Sequence, residues 1–298
     1  MYGMEQVLGD TWMLETPNSC IPVFRLGPKQ LILMDSGQSG DDLKELLAFL
    51  HREQLMVRAV LTSHAHIDHT GGHRALRELY GAELIASVFN AAVLENSLGL
   101  RAYFYEDTYH EALRHHEQMG ARVDRLILPG QRSICIDGAA FQILDLPGHS
   151  PEHLGFVTPD GIAYLADLLL SRDQFPTAKL PYTTCCELDF SSKRRAMNMD
   201  YPGYLLAHRG YEVQISELAA ENLSLWEEKL RLILSQLEEE RTLAACIAAV
   251  AKELHLGGKS RFVRMAVGRS VRAMVQYLVD CGLVCRQTRD WVDYYRRV

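Results

Sequence analysis

Apolar and polar positions along the chain up to His208 alternate in a way typical of strands separated by helices. Short apolar runs bounded by Gly, Pro, Asp or Ser predict strands. They are Thr11–Glu15, Ile21–Leu26, Gln30–Asp35, Val57–Thr62, Leu84–Ala86, Ser133–Ile136, Ala140–Leu146, Gly155–Val157, Ile162–Leu165 and, as the last, Tyr204–Ala207. Helical spacing predicts helices over Asp41–Arg52, with Asp41 as N-cap, and over His73–Tyr80, and an irregular helical stretch over 89–120.

The pattern changes at Ser216. A long amphipathic helix is predicted for Ser216–Glu240, followed by helices over Thr242–Leu254 and Arg261–Cys281. The segment from Gly282 then alternates, as a short hairpin would, and this order predicts a small helical, winged-helix-like domain. We therefore expect a catalytic domain over residues 1–215 and a C-terminal domain over residues 216–298. Strands and helices recurring in two halves predict two sheets packed inside with helices outside.

The composition narrows the class of protein. The chain has 298 residues, of which 48% are hydrophobic, and this suits one large domain with an appendage. No apolar run approaches the ~18 residues of a membrane span, and the N-terminus has no signal-peptide pattern. Seven cysteines form no disulfide framework. We therefore expect a cytoplasmic protein with reduced thiols.

The net charge of −7 hides an asymmetry along the chain. Residues 241–298 carry eleven Lys/Arg against four Asp/Glu, a charge of +7. The other 240 residues carry 20 Lys/Arg against 34 Asp/Glu, a charge of −14. A basic tail fits either docking onto an acidic surface or contact with nucleic acid, and the charge alone does not choose between them.

The run Ser-His-Ala-His-Ile-Asp-His-Thr-Gly-Gly at 63–72 is the most informative motif. It places His64, His66, Asp68 and His69 within six residues, directly after a predicted buried strand. Imidazole nitrogens and carboxylate oxygens are ligands of Zn²⁺ and similar ions. His64 and His66 converge when a strand runs into a loop, and Asp68 and His69 then face a second ion. Gly71 and Gly72 permit a tight turn before the next helix.

Three further junctions between a strand and a loop each present one ligand-type residue. They are Leu146-Pro147-Gly148-His149, Leu165-Ala166-Asp167 and Leu206-Ala207-His208. Any one alone is more often structural. Together with the first motif they make a set of seven potential metal ligands.

The order His64-x-His66-x-Asp68-His69, then His149, Asp167 and His208, resembles the metallo-β-lactamase superfamily over about residues 5–210. The resemblance implies an α+β fold, the αββα four-layer sandwich, with the site along one edge of the sheets. It implies a first metal on His64, His66 and His149 and a second on Asp68, His69 and His208, with Asp167 bridging. Asp35 matches an early Asp that supports the histidine loop.

The same resemblance implies a reaction. Asp68 is typical of the glyoxalase II, lactonase and nuclease branches rather than of zinc β-lactamases. We therefore expect a dinuclear hydrolase that attacks a small ester, thioester or lactone with a metal-bridging hydroxide, with Asp68 and Asp167 able to accept a proton. Zinc is the expected metal, two ions per chain, with iron or manganese as alternatives.

Other residues near the motifs have weaker assignments. His153, four residues after His149, is expected to orient a ligand or to pack. Tyr182 and Arg209 are candidates for substrate contact, each with packing or a surface ion pair as the rival. His73 is expected on the surface or at a helix cap.

Two other functions stay open at this stage. The chain resembles, loosely, endoribonucleases and bacterial hydrolases that carry a winged-helix-like tail, which implies a phosphodiesterase acting on RNA or nucleotides and gripping phosphates through the basic tail. A non-catalytic binding module would have lost metal ligands, and this chain keeps all seven. A homodimer is expected, because winged-helix units also serve as interfaces.

Overall fold

A computed structural model describes residues 3–104, 108–208, 210–257 and 260–298. Within these ranges the chain forms two compact units. The first unit comprises Met1–Leu146, Glu152–Leu169 and Asp200–Ile215. The second comprises Pro147–Pro151, Leu170–Met199 and Ser216–Val298. The second unit therefore takes in two segments from within the range expected for the catalytic domain.

A seven-stranded sheet runs in the order β1-β2-β3-β4-β5-β6-β7. Its strands are β1 (Met4–Leu8), β2 (Thr11–Glu15), β3 (Cys20–Arg25), β4 (Gln30–Met34), β5 (Met56–Leu61), β6 (Glu83–Ser87) and β7 (Arg125–Ile127). The first four pair antiparallel, and β4 to β7 pair parallel. Parallel pairing brings the carboxyl ends of β4 and β5 to one edge of the sheet, where the histidine motif begins.

A six-stranded sheet runs in the order β13-β12-β11-β10-β9-β8. Its strands are β8 (Ser133–Ile136), β9 (Ala139–Asp145), β10 (Leu154–Val157), β11 (Ile162–Tyr164), β12 (Gly203–Leu206) and β13 (Gly210–Glu212). The β8–β9 turn is Asp137-Gly138, with left-handed φ at both residues, as its sequence predicts. The β11–β12 pair is parallel, so these two strands also end at a common edge.

The two sheets pack face to face through one apolar cluster. The cluster takes Ile32, Met34 and Leu61 from the first sheet and Phe141 and Phe156 from the second, all fully buried. The rings of Phe24 and Phe141 meet edge to face, with centroids 5.5 Å apart. This is the sheet-on-sheet core that the sequence predicts.

Helices of the first unit cover the other face of the seven-stranded sheet. They are α1 (Asp41–Arg52), α2 (Ile67–Thr70), α3 (His73–Tyr80), α4 (Val88–Glu95), α5 (Ser97–Tyr103) and α6 (Tyr109–Met119). Leu46 and Phe49 of α1 and Leu76 of α3 join the second apolar cluster with residues of that sheet. The N-cap assignment of Asp41 is wrong, because Gly40 is the N-cap and no side chain caps the helix.

The second unit contains the remaining elements. They are a 3₁₀ turn (Arg172–Gln174), α7 (Cys186–Ala196), α8 (Ser216–Gln236), α9 (Leu243–Glu253), α10 (Arg261–Asp280), and a sheet in the order β14 (Arg241–Thr242), β16 (Val292–Arg297), β15 (Val284–Arg289). Helix α7 was not predicted. Within the four described ranges, no helix combines the length and the hydropathy needed to cross a bilayer.

Gly71 is required for close packing rather than for a special backbone angle. Its φ of −62° and the φ of −94° at Gly72 are ordinary right-handed values. A Cβ on Gly71 would lie 2.0 Å from the backbone nitrogen of Ser39. The loop that ends the histidine motif is therefore in direct contact with the loop after β4.

Replacing Gly71 with Ala should destabilise the protein by about 1–3 kcal/mol, because the clash is with backbone and the loops must separate. The measurement is the free energy of unfolding in urea. Gly27→Ala is the matched control, because Gly27 has no atom within 4 Å of its Cβ position and no left-handed φ. Equal stability of the two variants would contradict the close-packing argument.

Candidate metal centre

The candidate ligands of the first unit lie where strands end at a common edge. Strand β5 ends at Leu61, shortly before His64, and β11 and β12 end at Tyr164 and Leu206, shortly before Asp167 and His208. Asp68 and His69 lie on the single turn of α2. Parallel pairing brings the carboxyl ends of β11 and β12 side by side, and the packing of the two sheets places them beside the end of β5.

One group of potential ligands consists of Asp68, His69, Asp167 and His208, whose ligand atoms all lie within 4.8 Å of one another. His208 Nε2 lies 3.3 Å from Asp68 Oδ2 and 3.4 Å from Asp167 Oδ1. His69 Nε2 lies 3.3 Å from Asp167 Oδ2. Two carboxylates thus share the space between two imidazole rings.

A second group contains His64, His66 and Asp167. His64 Nε2 lies 2.9 Å from His66 Nδ1 and 3.8 Å from Asp167 Oδ2. His149, the remaining candidate that the resemblance implies for the first metal, lies on Pro147–Pro151 in the second unit. Asp167 is common to both groups. A carboxylate shared in this way is what the family resemblance implies for a residue that bridges two metal ions.

Asp35 organises the histidine loop from a buried position at the end of β4. Its Oδ1 accepts a hydrogen bond from the Ser63 backbone N–H at 2.7 Å. Its Oδ2 accepts from Ser63 Oγ at 2.6 Å, from His69 Nδ1 at 2.8 Å and from the Tyr164 hydroxyl at 2.7 Å. Because Nδ1 of His69 donates to Asp35, Nε2 is the nitrogen left to face the candidate metal position.

His208, His64 and His66 each have one ring nitrogen in contact with a polar group outside the two ligand groups. His208 Nδ1 lies 3.0 Å from the Asn18 carbonyl oxygen. His64 Nδ1 lies 3.0 Å from Ser63 Oγ, and His66 Nε2 lies 3.0 Å from the Tyr103 hydroxyl. These contacts fix the ring orientations.

His153 is fully buried and holds the backbone of the bridging candidate. Its Nδ1 donates to the Leu146 carbonyl oxygen at 3.1 Å, and its Nε2 accepts from the Asp167 N–H at 3.2 Å. Burial lowers the pKa of His153 to about 4, so the ring is neutral and can both donate and accept. The geometry fits the orienting role considered from the sequence.

The charges of the site favour a cation. Burial raises the pKa of the Asp68 and Asp167 carboxyls, but the adjacent His69 and His208 rings outweigh it and hold both pKa values below their usual range. Burial likewise opposes protonation of His69, yet Asp167, Asp68 and Asp35 raise its pKa to about 10. The two carboxylates therefore stabilise positive charge between them, whether it is a proton or a metal ion.

His69 Nε2 provides a direct test of whether a metal fits. This atom is buried, and its contact with Asp167 Oδ2 at 3.3 Å lacks the geometry of a hydrogen bond. A buried polar atom without a partner is costly, and a ligand to a divalent cation has no such cost. The donor set of imidazole and carboxylate also suits zinc, so the residues fit the expected metals.

The remaining predicted residues have mixed outcomes. Tyr182 lies in the second unit, where its hydroxyl accepts a hydrogen bond from Arg269 Nη1 at 3.1 Å and its ring centroid is 5.2 Å from that of His149. Arg209 lies outside the described residues. The surface assignment of His73 is wrong, because the ring is fully buried between the hydroxyls of Ser36 and Thr62.

Sequence reasoning missed several residues that orient the ligands. Tyr164, Asn18 and Tyr103 contact Asp35, His208 and His66 from distant parts of the chain. Tyr164 carried a usable signal, since it stands at the end of a predicted strand three residues before Asp167. Asn18 and Tyr103 carried none, because their contacts depend on loop geometry.

Sequence comparison finds relatives that match parts of the chain. Hydroxyacylglutathione hydrolase GloC of Haemophilus influenzae is 28% identical over 142 residues, which are 46% of this chain and 63% of that protein. Hydroxyacylglutathione hydrolase of Chromohalobacter salexigens is 26% identical over 145 residues, 48% of this chain and 44% of that protein. Exodeoxyribonuclease WalJ of Streptococcus pneumoniae is 36% identical over 69 residues, 23% of this chain and 26% of that protein. Each match spans less than two thirds of the relative.

Comparison of structures extends the likeness to the whole chain. A metallo-beta-lactamase family protein of Thermus thermophilus has a TM-score of 0.72 at 17% identity and covers 100% of this chain and 98% of its own. A beta-lactamase domain protein of Burkholderia ambifaria has a TM-score of 0.74 at 17% identity, with 99% and 94% covered. These identities establish the fold alone. The family model for the metallo-beta-lactamase superfamily matches residues 17–208, well over half of the chain, so the protein belongs to that superfamily.

Proposed function

We propose that this protein is a dinuclear metal-dependent hydrolase of a small ester, thioester or lactone, with a thioester as the first choice. The observation that carries the proposal is the pair of ligand groups that share Asp167. The hydroxyacylglutathione hydrolases among its relatives, each matched over nearly half of this chain, support a thioester. The acidic charge of residues 1–240 suits a compact substrate rather than a polyanion.

The residues divide between two metal positions. His64, His66, His149 and Asp167 would hold the first ion, and Asp68, His69, Asp167 and His208 the second. We propose zinc at both, because imidazole with carboxylate is a common zinc set. When bound, the two cations would supply an activated water at neutral pH and polarise the substrate oxygen.

The chain's own contribution is placement and charge. Asp35 and the Asn18 carbonyl hold the rings of His69 and His208 with Nε2 directed at the carboxylates. Asp68 and Asp167 stay deprotonated, so either can accept a proton from the attacking water and pass it to the leaving group. No side-chain nucleophile is needed in this scheme.

A second candidate function is a phosphodiesterase acting on nucleic acid, and one comparison favours it. The segment shared with exodeoxyribonuclease WalJ is more similar, at 36% identity, than those shared with the thioesterases. Helices α8 to α10 and the sheet order β14-β16-β15 support a winged-helix assignment for residues 216–298, of which residues 241–298 carry a charge of +7. Phosphate binding by such a tail would weaken steeply with salt.

Zinc-loaded protein should hydrolyse a hydroxyacylglutathione thioester, and Asp68→Ala should lower kcat by a factor on the order of 100 or more, because a metal ligand and proton acceptor is lost. Thiol release, followed by a chromogenic reagent, measures the rate. Asp200→Ala is the matched control, because this exposed carboxylate lies in the same unit but away from both ligand groups.

The same preparations should be given a lactone, single-stranded DNA and single-stranded RNA. Nucleic-acid cleavage that is lost in Asp68→Ala, together with an inert thioester, would replace the first proposal with the second. Hydrolysis of the thioester that survives in Asp68→Ala would remove the metal centre from the reaction.

Replacing Asp35 with Asn should weaken zinc binding by about 10–100-fold, as expected for loss of a residue that orients a ligand. Asn has one acceptor oxygen and two N–H donors, so it must oppose a donor from Ser63, His69 or Tyr164. Competition with a chromophoric chelator measures the affinity. Asp200→Asn serves as control, and an Asp35→Asn protein that binds zinc like wild type would disprove the orienting role.

A further inference from the structure

The loop that carries His149 is fixed through one carbonyl oxygen. Gly148 O accepts hydrogen bonds from the backbone N–H groups of Thr184 at 2.9 Å and Cys185 at 3.1 Å. It also lies 3.1 Å from Thr183 Oγ1 and 2.9 Å from Thr184 Oγ1, both of which donate to it. Four donors from three consecutive residues thus converge on the carbonyl oxygen of the peptide bond that joins Gly148 to His149.

The same loop is packed against the first turn of α7. A Cβ on Gly148 would lie 2.2 Å from the backbone nitrogen of Asp189, and the φ of Gly148 is +132°. Ser192 Oγ donates to the Pro147 carbonyl oxygen at 2.8 Å. Cys185 is the N-cap of α7 and its side chain makes no capping bond; its own backbone N–H, which has no partner within the helix, donates to the Gly148 carbonyl.

Helix α10 contacts the segment that donates to the Gly148 carbonyl. Ser270 Oγ accepts the backbone N–H of Thr183 at 3.2 Å, and both residues are buried. The adjacent Arg269 donates to the hydroxyl of Tyr182, whose ring meets that of His149 edge to face. Two neighbouring residues of the C-terminal helix therefore hold two neighbouring residues of the segment that fixes Gly148.

We propose that Ser270 is a positioning residue for His149, so that the C-terminal helix α10 sets the placement of one ligand of the first metal through Thr183 and Gly148. The proposal rests on the proposed function, because it takes His149 as a ligand. The path is continuous in hydrogen bonds from Ser270 Oγ to the Gly148 carbonyl. His149 follows that carbonyl directly in the chain, so displacement of the peptide displaces the imidazole.

Loss of the Ser270 hydroxyl has a specific consequence. The Thr183 N–H would be buried without an acceptor, and a buried donor without a partner is costly enough to move the segment toward another one. Because metal ligands tolerate little displacement, contacts that orient them affect metal affinity by about 10–100-fold.

The experiment is a thermodynamic cycle on zinc affinity. Metal-free wild type, Ser270→Ala, His149→Ala and the double variant are titrated with Zn²⁺ against a chromophoric chelator. We expect Ser270→Ala to weaken one zinc equivalent about 10–100-fold in the wild-type background and to have no further effect when His149 is absent. Ser235→Ala is the matched control, because this exposed serine of α8 donates to the Leu232 carbonyl and accepts from Gln236 Nε2, both on its own helix.

A second variant separates positioning from a general loss of stability. Thr183→Val keeps the side-chain shape but removes the Oγ1 bond to Gly148, so it should weaken the same zinc equivalent and show the same dependence on His149. Unfolding in urea is measured for every variant. An equal loss of affinity in the His149→Ala background, or unchanged affinity in a folded Ser270→Ala protein, would overturn the proposal.

The outcomes also separate this inference from the proposed function. Zinc affinity is read without a substrate, so coupling of Ser270 to His149 in a protein that hydrolyses no thioester would leave the positioning role intact and refute only the substrate. Thioester hydrolysis with no coupling would refute only the positioning role. If His149→Ala itself leaves zinc affinity unchanged, His149 is not a ligand and the proposal fails.

Discussion

The buried carboxylate of Asp35 is the interaction on which the rest of the site depends. Asp35 stands at the end of β4 with a left-handed φ of 65°, a conformation that costs free energy in residues other than glycine. It receives donors from Ser63 after β5, His69 on α2 and Tyr164 on β11. One side chain therefore connects the ends of strands in both sheets to the loop that carries most of the ligands. The four hydrogen bonds explain why so strained a position persists.

The hydrogen bonds around the site also explain how the imidazole rings of His69 and His208 are oriented. The outward nitrogens of His69 and His208 donate to Asp35 and to the Asn18 carbonyl, so their inward nitrogens face Asp68 and Asp167. Those carboxylates raise the pKa of the two rings, so protons and metal ions compete for the same electrostatic field. The contacts with Asp35 and the Asn18 carbonyl thus determine the direction of the ligand nitrogens, and the contacts with Asp68 and Asp167 make the site favour positive charge.

Much of this could be read from the sequence, and the failures have physical reasons. The seven ligand positions were identifiable because each follows an apolar strand and because four of them lie within six residues. His73 was misplaced because a histidine at the first position of a helix looks solvent-exposed, whereas the hydroxyls of Ser36 and Thr62 contact both of its ring nitrogens in the interior. Helix α7 was missed because its sequence, Cys-Glu-Leu-Asp-Phe-Ser-Ser-Lys-Arg-Arg-Ala, has little apolar periodicity. Its buried Asp189 and Lys193 form an ion pair, so charged letters occupy core positions.

The His149 loop, Pro147–Pro151, belongs to the second unit although it follows strand β9 of the first unit. A sequence pattern treats Pro147-Gly148 as a turn that projects a histidine from strand β9, which makes the loop a property of the sheet. The hydrogen bonds instead attach the Gly148 carbonyl to residues 183–185 and, through Ser270, to α10. No local signal in residues 146–151 could reveal this, because the partners lie more than 30 residues away and two of the four donors to the carbonyl are backbone groups. The C-terminal segment that looks like an appendage in the sequence therefore holds the Gly148 peptide through Ser270. The position of His149, a candidate metal ligand, consequently depends on the folding of α10.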